Sequence, residues 1–165
     1  MDNNTNIDFL NFDDAAEKAK FLEKRRIQAE EDFKKPFDQS ALLEVRHLRK
    51  AFPIKKTITG KVLQELVAVD DVSFKIKAGE TLGIVGESGC GKSTTIRSIA
   101  QLHKPTGGEV IFNDVDLCKA DNRTLLKERR QIQMIFQDPY SSLDPRMTVA
   151  NIIAEPLEIY NARGL

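Results

Sequence analysis

The strongest chemical signal in the chain is the run Gly86-Glu87-Ser88-Gly89-Cys90-Gly91-Lys92-Ser93, with Thr94 and Thr95 behind it. It fits the pattern G-x-x-x-x-G-K-[ST], the P-loop, whose spacing is that of a phosphate cradle. A polyphosphate needs many donors at short range. Backbone amides at a helix N-terminus supply them, together with the positive end of the helix dipole. Glycines at 86, 89 and 91 let the backbone take left-handed angles and approach the phosphate with no Cβ in the way. Lys92 is expected to set its ammonium against the β- and γ-phosphates, and Ser93 to offer its hydroxyl to Mg²⁺.

Such a loop works only between a strand and a helix, and both are legible. Thr81-Leu82-Gly83-Ile84-Val85 is a short apolar run of the kind found in a strand buried on both faces. After the loop, Ile96, Ile99 and Ala100 recur at helical spacing, and the run is expected to stop at Lys104-Pro105.

The 165 residues suit one domain with a substantial core, and 41% hydrophobic with 30% charged residues is ordinary for a globular protein. Lys+Arg and Asp+Glu are 25 each, so no global field favours nucleic acid or an anionic membrane. Met1-Asp2-Asn3-Asn4 has neither a basic region nor an apolar core of a secretory signal, and no apolar run approaches the ~18 residues of a spanning helix. Two cysteines, one inside the phosphate loop, do not make a disulfide framework. The expectation is a cytoplasmic protein with no segment that inserts in a membrane.

Residues 1–40 are rich in charge and contain no glycine. A helix is expected from Asp13 to about Phe33, with a narrow apolar stripe of Phe12, Ala16, Ala19 and Leu22 that fails at Arg26. This predicts a solvated or loosely docked helix, closed by Lys35-Pro36-Phe37. From Ala41 strands take over. Leu43, Val45 and Leu48 to Phe52 form one, broken by Pro53, and residues 54–66 are a polar excursion with a turn at Thr59-Gly60. Val67, Val69, Val72, Phe74 and Ile76 form another, ended by Ala78-Gly79. Glu109 to Phe112 is a strand, and Asn113-Asp114 after it is a turn rather than a metal-binding aspartate. Asn122 to Arg130 is a short basic helix. Gln133-Met134-Ile135-Phe136 is a buried strand that delivers Gln137 at its C-terminal end, where parallel α/β sheets bind ligands. Thr148 caps a last helix bearing Val149, Ile152, Ile153 and Leu157, kinked or ended by Pro156.

Beyond the P-loop, Gln137-Asp138-Pro139-Tyr140-Ser141-Ser142-Leu143-Asp144-Pro145-Arg146-Met147-Thr148-Val149 resembles the Q-loop of the ATP-binding subunits of ABC transporters. The extended form of that loop, with Ile153-Ala154-Glu155-Pro156-Leu157 after it, is similar to the oligopeptide and dipeptide importer branch. The resemblance implies an α/β fold: an incomplete P-loop NTPase-type ABC nucleotide-binding domain with an antiparallel β subdomain and an N-terminal charged helix. Residues 41–165 would be the partial ATP-binding domain, from Walker A to Q-loop, and residues 1–40 a charged helical extension outside it.

The resemblance also implies site residues. Gly86, Glu87, Ser88, Gly89, Cys90, Gly91, Lys92, Ser93 and Thr94 would bind the nucleotide phosphates, and Phe52, at the end of the first strand, would stack on adenine. Catalytic roles fall to Lys92 and Gln137, and Ser93 and Gln137 would reach Mg²⁺; the neutral amide of Gln137 orients water without adding charge beside the γ-phosphate. The implied ligands are ATP and Mg²⁺. The implied partners are a second ABC ATPase subunit, two transmembrane permease subunits and an extracytoplasmic peptide-binding protein, with the chain peripheral on the inner face of the membrane. Cys90 lies among the phosphate-binding amides and is expected to be alkylated readily unless ATP covers it, whereas Cys118 reads as packing.

The family pattern is not complete here. A signature motif of the Leu-Ser-Gly-Gly-Gln type, a second strand ending Asp-Glu and a switch histidine are absent from the 165 residues. The histidines, His47 and His103, both precede Gln137, and His103 reads as a partner of the P-loop helix dipole. The expectation is the N-terminal part of an importer ATPase, shortened by truncation or an early stop, with weak or absent hydrolysis. A non-hydrolysing nucleotide-binding fragment or regulatory module is the alternative. A P-loop kinase or GTPase is less consistent, because a base-specific Asn-Lys-x-Asp loop is missing.

Overall fold

The structure, a computed structural model, describes residues 15–56, 62–138 and 143–162. The chain divides into two units, Met1–Ala120 and Asp121–Leu165.

The first unit is built on a four-stranded sheet in the order β2-β1-β3-β4, every neighbouring pair antiparallel. Its strands are β1 (Leu43–Lys56), β2 (Val62–Ile76), β3 (Gly107–Phe112) and β4 (Val115–Asp116). Val45, Leu48, Ala51, Val69, Val110, Ile111, Phe112 and Leu117 are buried and form the core. Asn113 and Asp114 carry φ 48° and 63° between β3 and β4, the left-handed pair that a two-residue hairpin turn requires. The turn reading therefore holds.

Pro53 does not break β1. The pairing of β1 with β3 ends at Arg49–Gly107, so beyond that point β1 has only β2 beside it. Proline is tolerated where one side of a strand has no ladder to serve. For the same reason the polar excursion is smaller than expected: residues 54–56 and 62–66 belong to the β1–β2 ribbon. The turn expected at Thr59-Gly60 lies outside the described residues.

The helix that follows the phosphate loop, α2 (Lys92–Ile99), is shorter than the sequence implies. Gln101 adopts φ 56°, its amide bonds Ser98 O (3.1 Å) and the Leu102 amide bonds Arg97 O (2.9 Å). This is the Schellman closure, built on glutamine rather than glycine. Gln101 Nε2 also donates to Ser98 O at 3.1 Å, which gives the strained residue a local partner.

The N-terminal helix, α1 (Ala15–Lys34), is docked, and not by its apolar stripe. Its half-buried positions are Phe21, Arg25, Ala29 and Asp32, spaced for one helical face, whereas Ala16, Ala19 and Leu22 are exposed. Arg25 pairs with Asp70 (3.2 Å) and Asp71 (2.5 Å) on β2, and His47 on β1 lies between Asp71 (2.5 Å) and Asp32 (3.1 Å). The buried Arg46 guanidinium reaches Asp32 O, Lys35 O and Pro36 O at the C-terminal end of α1, a favourable place for a cation. Arg46 also pairs with buried Glu44 (2.8 Å) and lies 5.0 Å from the centre of the Phe37 ring. Periodicity of hydrophobic residues could not reveal a seam made of charges.

The second unit holds α3 (Asn122–Arg129) and α4 (Val149–Ala162). Asp121 caps α3 by accepting from the Thr124 amide at 2.7 Å, and Thr148 Oγ1 accepts from the Asn151 amide at 3.3 Å at the start of α4. Pro156 lies inside α4 without ending it.

Two expected strands are absent. Thr81–Val85 and Gln133–Phe136 belong to no ladder, and Val85 and Ile135 are 91% and 93% exposed. A parallel strand takes its hydrogen bonds and its burial from neighbours on either side, and no described strand runs beside these segments.

The docking seam is expected to be acid-sensitive. The Lys35 hydrogen bond lowers the Asp32 carboxyl despite burial, and Ser40 and Lys75 hold Asp38 down to about 2. Burial raises Glu44, but bonds from Arg46 and the Asp38 amide outweigh it and leave the group lowered. Carboxyls depressed in the folded chain contribute stability above their unfolded values of about 4, and that contribution is lost as pH falls through the lowered range. Amide-exchange protection in α1, corrected for intrinsic rates, is expected to collapse between about pH 4 and 2 while Val110 and Ile111 stay protected. Unchanged α1 protection at the lower limit contradicts this.

Candidate phosphate-binding site

The approach to the site starts where β2 ends. The Glu80 amide bonds Lys77 O (3.1 Å), Glu80 Oε2 accepts from the Lys77 amide (2.8 Å), and Gly79 takes φ 78° between them. The segment Thr81–Val85, which belongs to no ladder, then leads to the loop.

Within the loop, the Cys90 amide turns back to Glu87 O at 3.4 Å, and Gly89 and Gly91 take φ 83° and 96°. Gly86 serves by its lack of volume: a Cβ there would lie 2.8 Å from Cys90 Sγ. The demand at Gly91 is stricter. A Cβ would meet the Ala68 carbonyl oxygen of β2 at 2.3 Å, so glycine is required both by conformation and by contact with a backbone that cannot swing away.

Gly91 is also the N-cap of α2, and it brings no side-chain acceptor. First-turn amides of a helix have no intrahelical partner, so this helix start offers its donors to an external anion. Lys92 supplies the charge. Its Nζ donates to Gly86 O (2.7 Å) and Glu87 O (2.5 Å) and lies 3.4 Å from Cys90 Sγ, folded across the mouth of the loop. The loop thus gathers Gly86, Glu87 and Cys90 about the Lys92 ammonium, with Ser88 and Gly89 at its exposed turn. Thr95, not singled out in the sequence, is buried and ties the helix start to the loop through Oγ1 to Gly91 O at 3.1 Å. Its signal was the doubled threonine after Ser93.

Ser93 is exposed in the first turn of α2, with Thr94 half-buried beside it. One hydroxyl oxygen next to a phosphate cradle suits Mg²⁺, which keeps several waters and takes few protein ligands. Among the described residues no group of three or more His, Cys, Asp or Glu could hold a metal without such help.

Phe52 lies on β1 in the same unit, half-buried. Lys50 Nζ is 4.9 Å from its ring centre, and the His103 ring meets it at 5.7 Å with an interplanar angle of 89°. His103, expected as a partner of the helix dipole, stays at the C-terminal end of α2, its amide bonding Arg97 O at 3.1 Å, and its ring packs on Phe52. Cys118 fits the packing reading, its thiol pushed up by burial and by Asp116. Gln137 belongs to the second unit, exposed at a bend after Phe136. Pro139 to Ser142 of the same loop lie outside the described residues.

A glycine loop leading into a helix, with its lysine folded over the loop carbonyls, is the arrangement of a P-loop in an α/β protein. Comparison with known proteins narrows the class. The family described as ABC transporter matches residues 69–163, and the chain belongs to that family. It is 56% identical over 120 residues to the oligopeptide transport ATP-binding protein OppF of Bacillus subtilis (strain 168), covering 72% of this chain and 37% of that protein. It is 47% identical over 125 residues to AppF, an oligopeptide transport ATP-binding protein of the same organism, covering 75% of this chain and 38% of that protein. Among solved structures it resembles the dimeric bacterial ABC transporter cassette MJ0796, with a TM-score of 0.60 and 30% identity over 71% of this chain and 47% of that one. The chain thus spans less than two fifths of the length of these curated relatives.

Two outcomes test the loop. Gly91→Ala is expected to destabilise the first unit by roughly 1–3 kcal/mol through overpacking, with about 1 kcal/mol more from the left-handed angle, read by urea denaturation. Exposed Cys90 is expected to react readily with a maleimide and to be protected by saturating ATP. Equal rates with and without ATP would remove Cys90 from the nucleotide's footprint.

Proposed function

We propose that this chain provides the nucleotide-binding part of an ATP-binding subunit that energises peptide import by an ABC transporter. The observation that carries the reading is the loop itself: Lys92 Nζ 2.7 Å and 2.5 Å from two loop carbonyls, at the start of a helix whose cap leaves its amides for an anion. In this reading residues 41–165 are the partial ATP-binding domain and residues 1–40 an extension. The amides of Gly86 to Gly91 and the first turn of α2 hold the phosphates, with Glu87, Ser88 and Cys90 lining the loop and Thr94 behind it. Lys92 moves from the loop carbonyls to the β- and γ-phosphates, exchanging neutral acceptors for charged ones. Phe52 stacks on adenine, a sequence-tolerant contact because every base has a π-face. Ser93 and Gln137 would hold Mg²⁺, and Gln137 orients the attacking water. Mg²⁺ held there would supply positive charge against the charge that develops on the phosphates in transfer.

Partners follow from the relatives, whose names describe ATP-binding proteins of oligopeptide transport. We infer a second ATPase subunit, two membrane permease subunits and an extracytoplasmic peptide-binding protein, with this chain peripheral on the inner face of the membrane. Among the described residues no helix is long and apolar enough to cross a membrane. A second reading, nucleotide binding without hydrolysis, is favoured for these 165 residues alone. They contain the phosphate loop, but no signature motif, no strand ending Asp-Glu and no histidine after Gln137.

Titration calorimetry with MgATP is expected to show binding by the purified chain and none by Lys92→Ala. Unchanged affinity in that variant refutes the site. Single-turnover hydrolysis by the chain is expected at the uncatalysed rate, and any rate above it overturns the second reading.

A further inference from the structure

From the packing around Phe52 we infer that His103 is a positioning residue for recognition of the nucleotide base, with Lys50 as its support. The inference rests on the proposed role of Phe52 and deepens it: it names what sets the ring in place. Phe52 sits where β1 loses β3 as a neighbour, since the β1–β3 ladder ends at Arg49–Gly107. A ring at the start of a two-stranded ribbon has little to fix its direction, and a base that stacks on it would lose affinity to every rotamer the ring samples.

The chain after α2 supplies the restraint. It runs back beside β1 and is bonded to it at successive residues: the Thr106 amide to Arg49 O (2.8 Å), the Ala51 amide to Thr106 Oγ1 (3.0 Å) and Lys50 Nζ to Lys104 O (2.7 Å). These bonds bring the His103 ring against Phe52 at 5.7 Å and 89°, the perpendicular geometry favoured by aromatic quadrupoles. The same Lys50 ammonium lies 4.9 Å from the Phe52 centre, a cation–π contact that adds a second constraint. His103 is attached to the phosphate-binding helix through its amide bond to Arg97 O at 3.1 Å. The ring proposed to hold the base is therefore oriented by the far end of the helix that holds the phosphates. This couples the two halves of nucleotide recognition through a residue that touches neither phosphate nor metal.

The test separates base from phosphate. Affinities of ATP and of inorganic tripolyphosphate are measured by calorimetry for the intact chain, Phe52→Ala, His103→Ala, Lys50→Ala and His103→Phe. His103→Ala is expected to weaken ATP roughly three- to tenfold and leave tripolyphosphate unchanged, the size of a lost aromatic pair. Lys50→Ala should act in the same direction, and His103→Phe, which keeps an aromatic neighbour, should restore ATP affinity. Equal loss for both ligands in His103→Ala, or loss for neither, overturns the inference while Phe52→Ala still weakens ATP. If Phe52→Ala leaves ATP affinity unchanged, the role of Phe52 itself fails, and the role of His103 with it.

Discussion

The approach of Gly91 to the Ala68 carbonyl is the contact on which the first unit depends. It sets a helix start against the backbone of β2 with no side chain between them, and 2.3 Å is all that a Cβ would have. Because backbone meets backbone, the position of α2 relative to the sheet is fixed without adjustable parts. Thr95 continues the same anchoring one turn later, bonding Gly91 O by amide (2.8 Å) and hydroxyl (3.1 Å). The ammonium of Lys92 and the first-turn amides inherit their places from this packing. An anion site made of backbone donors is only as well organised as the helix that presents them.

A second constraint lies further along β2, at Asp70 and Asp71, where charge rather than shape does the joining. Asp71 and His47 both adopt left-handed angles, φ 58° and 48°, and they face each other across β1 and β2 at an irregular register. Non-glycine residues at such angles persist only where their surroundings over-determine them. Arg25 and Asp32 of α1, which bind these two residues, are part of that surrounding. The helix and the irregularity of the sheet therefore support each other.

What the sequence made legible was what is local. The phosphate loop, the turn at Asn113-Asp114 and the cap at Thr148 depend on residues a few positions apart, and each residue type carries its own reason. What it hid was relational. Arg25 and Asp32 look like a solvated face until β1 and β2 place His47 and Asp71 opposite them. Gln101 does not announce a helix end as glycine would, because its left-handed angle is supported by its own side chain on Ser98 O. Pro53 reads as a strand breaker until the ladder with β3 is seen to have ended at Arg49. Thr81–Val85 and Gln133–Phe136 failed in the opposite sense. Their apolar runs led to an expectation of buried strands, but composition cannot supply the neighbours that a ladder needs.

The thinning of the sheet beyond Arg49 has a mechanical consequence. Three strands narrow to two, and Val62, Leu63 and Leu66 on the remaining pair are exposed rather than packed. Two strands alone are marginally stable in water and twist more strongly than a wider sheet. The tip of this ribbon should thus breathe independently of its root, opening and closing as a small cantilever clamped at Ala51 by Thr106. Phe52 is the first residue past the clamp, so thermal motion of the arm reaches its ring with the shortest possible lever.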